Sequence, residues 1–427
     1  MQLLRKLLMG GDENLEKRNM VWNMIGSFLY AFASMVLTIA VVQVVGDDQG
    51  GIFTFAFSAF GQHMFMVAYF GIRPFQITDT GRRYTFGEYL GLRLFTCGAA
   101  LVFGLFFVFI NRDSYSSVKI MTVLLMVAYK VIDGFADAYE AEFQRDGRLY
   151  LTGKSNTFRT LLSVFCFMGS LIATKNMVFS CVVAVTAQVA GVLLFDVPVI
   201  GALPEIDFSR RKGRCFSLFR ENLVLFFSVI IDFYIFSASK YAIDGHMTNS
   251  ASAVYGAIFM PTSVINLVAG FVIRPYITKL SLRWENRELG AFAGVVKRLA
   301  LMIFGLTVLA MGGAFLIGIP VLSLLYPKLG GALSECRTAL LLIILGGACN
   351  AYVNLFYYSL IIMQKQRHIF LGYVGVGALA LLISSPFVRR AGIPGAALSY
   401  LILMAALTIC FGLTAIWFYN QERKVSK

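Results

Sequence analysis

Lys130, Asp133, Asp137 and Glu140 stand three, four and three positions apart in an otherwise apolar stretch. That spacing puts all four on one face of a helix. Such a row can lock a bundle as an ion-pair ladder, with Lys130 neutralised by Asp133. Its carboxylates can instead take and release a proton or another cation, or the face can touch a polar substrate directly. Asp232 stands in a later apolar run, followed by Lys240 and Asp244. It suits ion coupling, charge balance or a hydrogen-bonded structural role. His63 lies mid-way along another apolar run beside Gln62. Its imidazole can switch charge near neutral pH or serve as a buried hydrogen-bonding group. Arg73 and Arg274 are each followed by proline. Two guanidiniums suit a diphosphate, because their contacts are bidentate and permanently charged; the same residues can also anchor helix ends. Asn350, Asn354, Tyr352, Tyr357 and Tyr358 can hydrogen-bond and stack on sugar rings, or simply pack helices.

Elements that position such groups must be built for lipid. Of 427 residues, 58% are hydrophobic and 14% charged, against roughly 45–50% and about 25% in soluble domains. Surface-to-volume scaling leaves too few polar residues to cover a soluble core of this size. The composition excludes a soluble enzyme, a disordered chain and a secreted disulfide scaffold. The seven cysteines are scattered without paired or metal-ligating spacing, so no disulfide, metal or cofactor is expected. Residues 1–19 lack an uninterrupted apolar stretch and a cleavage site, which argues against a signal peptide. Leu3, Leu4, Leu7 and Leu8 against Arg5 and Lys6 can form a short helix on a membrane surface.

A bilayer core of about 30 Å needs roughly 20 apolar residues per helix. Twelve such runs can be read, at about 20–45, 50–72, 88–110, 118–140, 157–174, 177–200, 220–242, 252–275, 299–320, 338–362, 369–388 and 394–419. With both termini on one side, that side collects 28 Lys and Arg, and the other collects eight. Lys130 alone remains at membrane depth. The positive-inside rule then predicts cytoplasmic termini, and a net charge of +14 needs no nucleic-acid partner. Phe70-Gly71-Ile72-Arg73-Pro74-Phe75 is matched by Phe271-Val272-Ile273-Arg274-Pro275-Tyr276, and the segments after the fourth and tenth helices also echo one another. The expected fold is therefore all-α and polytopic: two six-helix bundles related by a parallel pseudo-two-fold repeat, as in transporters. Its parts are a cytoplasmic segment 1–19, a bundle 20–200, a basic linker 201–219, a second bundle 220–419 and a cytoplasmic tail 420–427.

Four stretches carry a family likeness. Val45-Gly46-Asp47-Asp48-Gln49-Gly50-Gly51-Ile52-Phe53 resembles the first outer turn of oligosaccharide flippases. Ser239-Lys240-Tyr241-Ala242-Ile243-Asp244, Phe259-Met260-Pro261 and Gln144-Arg145-Asp146-Gly147-Arg148 resemble further stretches of the same proteins. With the six-plus-six layout, the chain resembles the multidrug/oligosaccharidyl-lipid/polysaccharide (MOP) exporter superfamily, in its Wzx-like polysaccharide branch. Twelve helices, not fourteen, speak against a lipid II flippase. The resemblance implies a cavity lined by the first, second, seventh and eighth helices.

The resemblance implies a bacterial or archaeal cytoplasmic-membrane flippase for undecaprenyl-diphosphate-linked oligosaccharides, working by alternating access for capsule, O-antigen or exopolysaccharide assembly. Arg73, Arg274, Lys130, Lys240, Asn350 and Tyr357 are its candidate substrate contacts. Asp133, Asp137, Glu140, Asp232 and His63 are the candidates for coupling to H+ or Na+ or for charge balance. Membrane lipid is a partner, and a polysaccharide polymerase or glycosyltransferases are possible associates. No Gly-x-x-x-x-Gly-Lys-Ser/Thr loop is present. The alternative within the same fold is a cation-coupled multidrug antiporter, which would favour an acidic, aromatic cavity. An integral-membrane polymerase or acyltransferase needs a catalytic pair, and none of the three histidines has an acidic neighbour at motif spacing. The chain is therefore not expected to be an enzyme.

Overall fold

The computed structural model describes residues 8–10, 14–79, 81–203 and 206–425, apart from the side chains of Arg274, Thr278 and Val425. Except for Leu8, the surface helix expected around Leu3 and Leu7 lies outside the described residues. No strand occurs among those described. The spans of a multi-pass membrane protein follow one another: α1 (Leu15–Val45), α2 (Asp47–Phe55, continued through a π-helical turn, Ala56–Phe60, into Gly61–Tyr69), α3 (Phe86–Asn111), α4 (Ser117–Arg145), α5 (Leu149–Thr174) and α6 (Met177–Ile200). Then come α7 (Arg214–His246), α8 (Asn249–Ile273), α9 (Leu289–Leu325) and α10 (Arg337–Ile362). The final run, Gln366–Val425, is two helices joined where Gly392 leaves helical geometry at φ 59°; α11 precedes that break and α12 follows it.

Hydropathy and length alone find ten of these spans. They pass over α4, whose apolar stretch is broken by its charged face, and read α11 and α12 as one. Several helices outrun the apolar stretches that announce them. α5 begins at Leu149, well before position 157, because Thr152, Lys154 and Ser155 are buried within the bundle. α7 begins at Arg214, inside the segment read as linker.

The chain divides into two compact units, Met1–Ile230 and Ile231–Lys427, and the boundary falls inside α7. In the first unit, α1 packs closely along α5. A Cβ on Gly26 would stand 2.8 Å from the Gly153 carbonyl oxygen, and one on Gly153 would run into the Trp22 carbonyl. Only glycine permits that approach. The α6 helix carries a π-helical turn, Val192–Asp196, just before Pro198. Proline cannot supply the next helical N–H, and the widened turn ends on a buried acid, Asp196. In the second unit, α8, α9 and α10 line a half-open apolar pocket of about 420 Å³, with Met260, Pro261, Val264, Thr307, Leu340 and Ile344 among its walls.

Candidate functional site

Helix α4 starts where the Ser116 hydroxyl oxygen accepts from the Lys119 amide. Fixed in register, it buries Lys130, Asp133, Asp137 and Glu140, each at most 6% exposed. Their neighbours within the first unit are mostly arginines. Arg159 of α5 donates to Asp133 Oδ1 at 3.2 Å and Glu140 Oε1 at 2.7 Å through Nη2, and to Asp196 Oδ2 at 3.0 Å through Nη1. Arg93 of α3 donates to Asp137 Oδ2 at 2.9 Å and to the Ala68 carbonyl at 3.0 Å. Arg73, at the head of a short helix, Arg73–Thr78, reaches Asp137, Glu140 and Gln144.

The direct pairing expected between Lys130 and Asp133 is replaced by a relay. Lys130 Nζ donates to the Tyr30 hydroxyl at 3.1 Å, and that hydroxyl donates to Asp133 Oδ2 at 2.8 Å. Gln188 of α6 completes the surroundings of Asp133, donating to Oδ1 at 3.3 Å. Four cations (Arg73, Arg93, Arg159 and Lys130) thus face four carboxylates (Asp133, Asp137, Glu140 and Asp196), and the set is neutral as drawn. Space for Arg159 depends on Gly191, where a Cβ would come within 2.6 Å of the arginine's Cγ.

Two expectations change here. Arg73 does not stand free for a diphosphate, since its guanidinium is engaged by two acids and an amide. Arg93 and Arg159, counted in sequence among the 28 basic residues of the cytoplasmic side, are only 1% and 2% exposed inside the bundle. Arg159 had a signal of its own. It stands four residues after Ser155 and four before Ser163, a polar stripe at helical spacing that is buried throughout. The side chain of Arg274 lies outside the described residues. His63 sits half-buried on α2 and is partnered.

A second network ties the segment after α6 to the start of α3. The Thr85 and Glu88 side chains form a capping box, and Glu88, fully buried, accepts from Arg211 Nε and Nη2 at 2.8 Å each. That hydrogen bond also holds the Arg211 guanidinium above its usual pKa. Thr85 donates to the Ser209 carbonyl at 2.6 Å, and the Gly87 amide to that of Asp207 at 3.1 Å.

In the second unit the charges are sparse. Asp232 of α7 is half-buried and accepts a hydrogen bond from Tyr373 of α11, with Tyr357 of α10 also close enough to feel its charge. No ion pair to Asp232 occurs among the described residues. Tyr357 packs edge-on against Tyr358. Lys240 rests its ammonium over two rings, 4.2 Å from the centre of Phe259 and 5.5 Å from that of Phe236. Asn350 spends its amide on Asn266 of α8 at 2.9 Å. Tyr373, which sequence reasoning missed, joins this group from a helix far along the chain.

No family model and no curated protein matches this chain. Solved structures do. An inward-facing multidrug resistance MATE family transporter of the MOP superfamily aligns with a TM-score of 0.72 at 13% identity, over 93% of this chain and 96% of that one. The eukaryotic MATE transporter AtDTX14 aligns with a TM-score of 0.66 at 12% identity, over 96% and 99%. The Vibrio cholerae MATE transporter VcmN in its bent form gives 0.55 at 11% identity, over 99% and 98%. The chain therefore has the fold of MATE transporters over at least 93% of its length.

Proposed function

We propose that this chain is an exporter of the MOP superfamily that works by alternating access, coupled to an ion gradient, with organic cations as cargo. The fold supports transport. The charge distribution supports the cargo. A flippase for diphosphate-linked glycans wants uncommitted cations, but Arg73, Arg93 and Arg159, the arginines beside the charged face of α4, are engaged by carboxylates. The observation that carries the reading is Asp232, an acid without an ion-pair partner among the described residues, set beside Tyr357 and Tyr373. A carboxylate with aromatic rings around it suits an organic cation, which gains from the charge and from the ring faces together.

One observation favours a second reading, the flipping of polyprenyl-diphosphate-linked oligosaccharides. Lys240 has ring faces but no carboxylate partner among the described residues, and an ammonium so placed can meet a phosphate. Proteoliposomes separate the two readings. Under an imposed proton or sodium gradient, the first expects movement of a fluorescent organic cation such as ethidium and none of a labelled lipid-linked oligosaccharide. Movement of the oligosaccharide alone would replace the first reading with the second. The reading also carries a place for the protein: the cytoplasmic membrane, with both termini inside.

A further inference from the structure

Each of the three guanidiniums in the first unit's charged set meets at least one carboxylate. Lys130 is the exception. It is 2% exposed, donates to the Tyr30 hydroxyl at 3.1 Å, and lies 4.0 Å from the centre of the Phe57 ring. No carboxylate lies within ion-pair distance of its ammonium among the described residues. A guanidinium stays charged inside protein, whereas an amine can exist there as a neutral group. Lys130 is therefore the one cation of the set whose charge can change while every carboxylate keeps an arginine.

We propose that Lys130 carries the exchangeable proton of the exporter, in place of the four carboxylates around it. The proposal rests on the exporter reading above. In the step, the ammonium gives one proton to water and becomes an amine. The amine retains N–H groups for Tyr30, so the hydrogen bond from Tyr30 to Asp133 survives. The charge of the set goes from zero to minus one. In a low-dielectric surrounding, that excess holds a monovalent cation at the first unit's set, a step of the transport cycle separate from its contact with Asp232; reprotonation removes the attraction and releases the cation. One proton is exchanged for one positive charge. The groups facing Lys130 fit this role. On α1 the facing group is Tyr30, on α2 the Phe57 ring, and on α4 itself Asp133, which Arg159 of α5 and Gln188 of α6 also hold.

The test is a proton count on the purified full-length protein. In weak buffer near neutral pH, it is titrated with tetraphenylphosphonium while a pH dye records release. The wild type is expected to release close to one proton per cation bound. Lys130→Arg keeps the charge but has no proton to give, and should bind about tenfold more weakly or worse and release none. Lys130→Met, which removes the charge, should bind without release and with an affinity that no longer depends on pH. Wild-type release from either variant would overturn the assignment, as would a wild type that binds and releases nothing. If neither variant folds, Lys130→Gln, which keeps an N–H donor for the Tyr30 hydroxyl, takes their place and should likewise release no proton. A wild type that does not bind the probe would bring down the cargo reading and this proposal with it.

Discussion

At the scale of single residues, Arg159 is the most consequential group in the first unit, because three carboxylates share its guanidinium. Arg159→Met leaves them without that charge in a buried site. Breaking a buried pair from one side costs about 3–5 kcal/mol, so folded yield and thermal midpoint in detergent should both fall sharply. Adding Asp196→Asn should recover part of the loss, since the amide keeps an oxygen acceptor for the Ser155 hydroxyl without a charge to compensate. Equal stability of the single and double variants would show that Asp196 is not held by this arginine. Much of the site was legible in the sequence. The spacing of Lys130, Asp133, Asp137 and Glu140 announced a charged face, and Asp232 stood out in its apolar run. The partners did not announce themselves. Tyr30 lies on α1, 103 positions from Asp133, and Gln188 lies 55 positions away on α6. Nothing local marks a tyrosine or glutamine as the mate of a particular carboxylate. Arg93 and Arg159 were misread because a basic residue near a helix end has two uses, facing headgroups or facing buried acids, and hydropathy treats them alike.

At the scale of elements, the seam between α1 and α5 is set by glycine. Gly153→Leu would push a side chain into the backbone at Trp22. Overpacking of this kind typically costs about 1–3 kcal/mol, and the thermal midpoint should drop while the size-exclusion profile of surviving protein stays normal. The segment around Asp207 to Arg211 makes a separate case. It is tied down chiefly by Glu88 and Thr85, so Glu88→Ala should speed amide hydrogen exchange across 206–213 severalfold and leave α4 unchanged. Unaltered exchange there would mean that the backbone contact from Gly87 suffices. Helix number was readable from apolar runs, whereas helix ends were not. The first turns of α5 carry polar side chains that the bundle itself buries, and a hydropathy reading scores such residues as loop. The break at Gly392 was placed correctly between two apolar runs because Arg389 and Arg390 interrupt them.

At the scale of the whole molecule, twelve spans and the 28-to-8 basic asymmetry predict that reporter fusions at residue 427 report the cytoplasm and fusions within 112–118 the exterior. A carboxyl terminus found outside would contradict the topology. The fold class was open to sequence reasoning because the bilayer constrains what an apolar chain can do. The cargo was less so. The family resemblance and the Arg73–Arg274 pair invited an anionic substrate, and the engagement of Arg73 by Asp137 and Glu140 favours a cationic one. The account's central claim, gradient-driven export of organic cations through a site that uses Asp232, is tested most directly in proteoliposomes holding wild type or Asp232→Asn. Under an imposed ion gradient, the wild type should transport ethidium, and the well-folded Asp232→Asn protein should lose at least about 90% of that rate, since an amide offers the cation no charge. Equal transport by the two proteins, or none by a folded wild type, would contradict it.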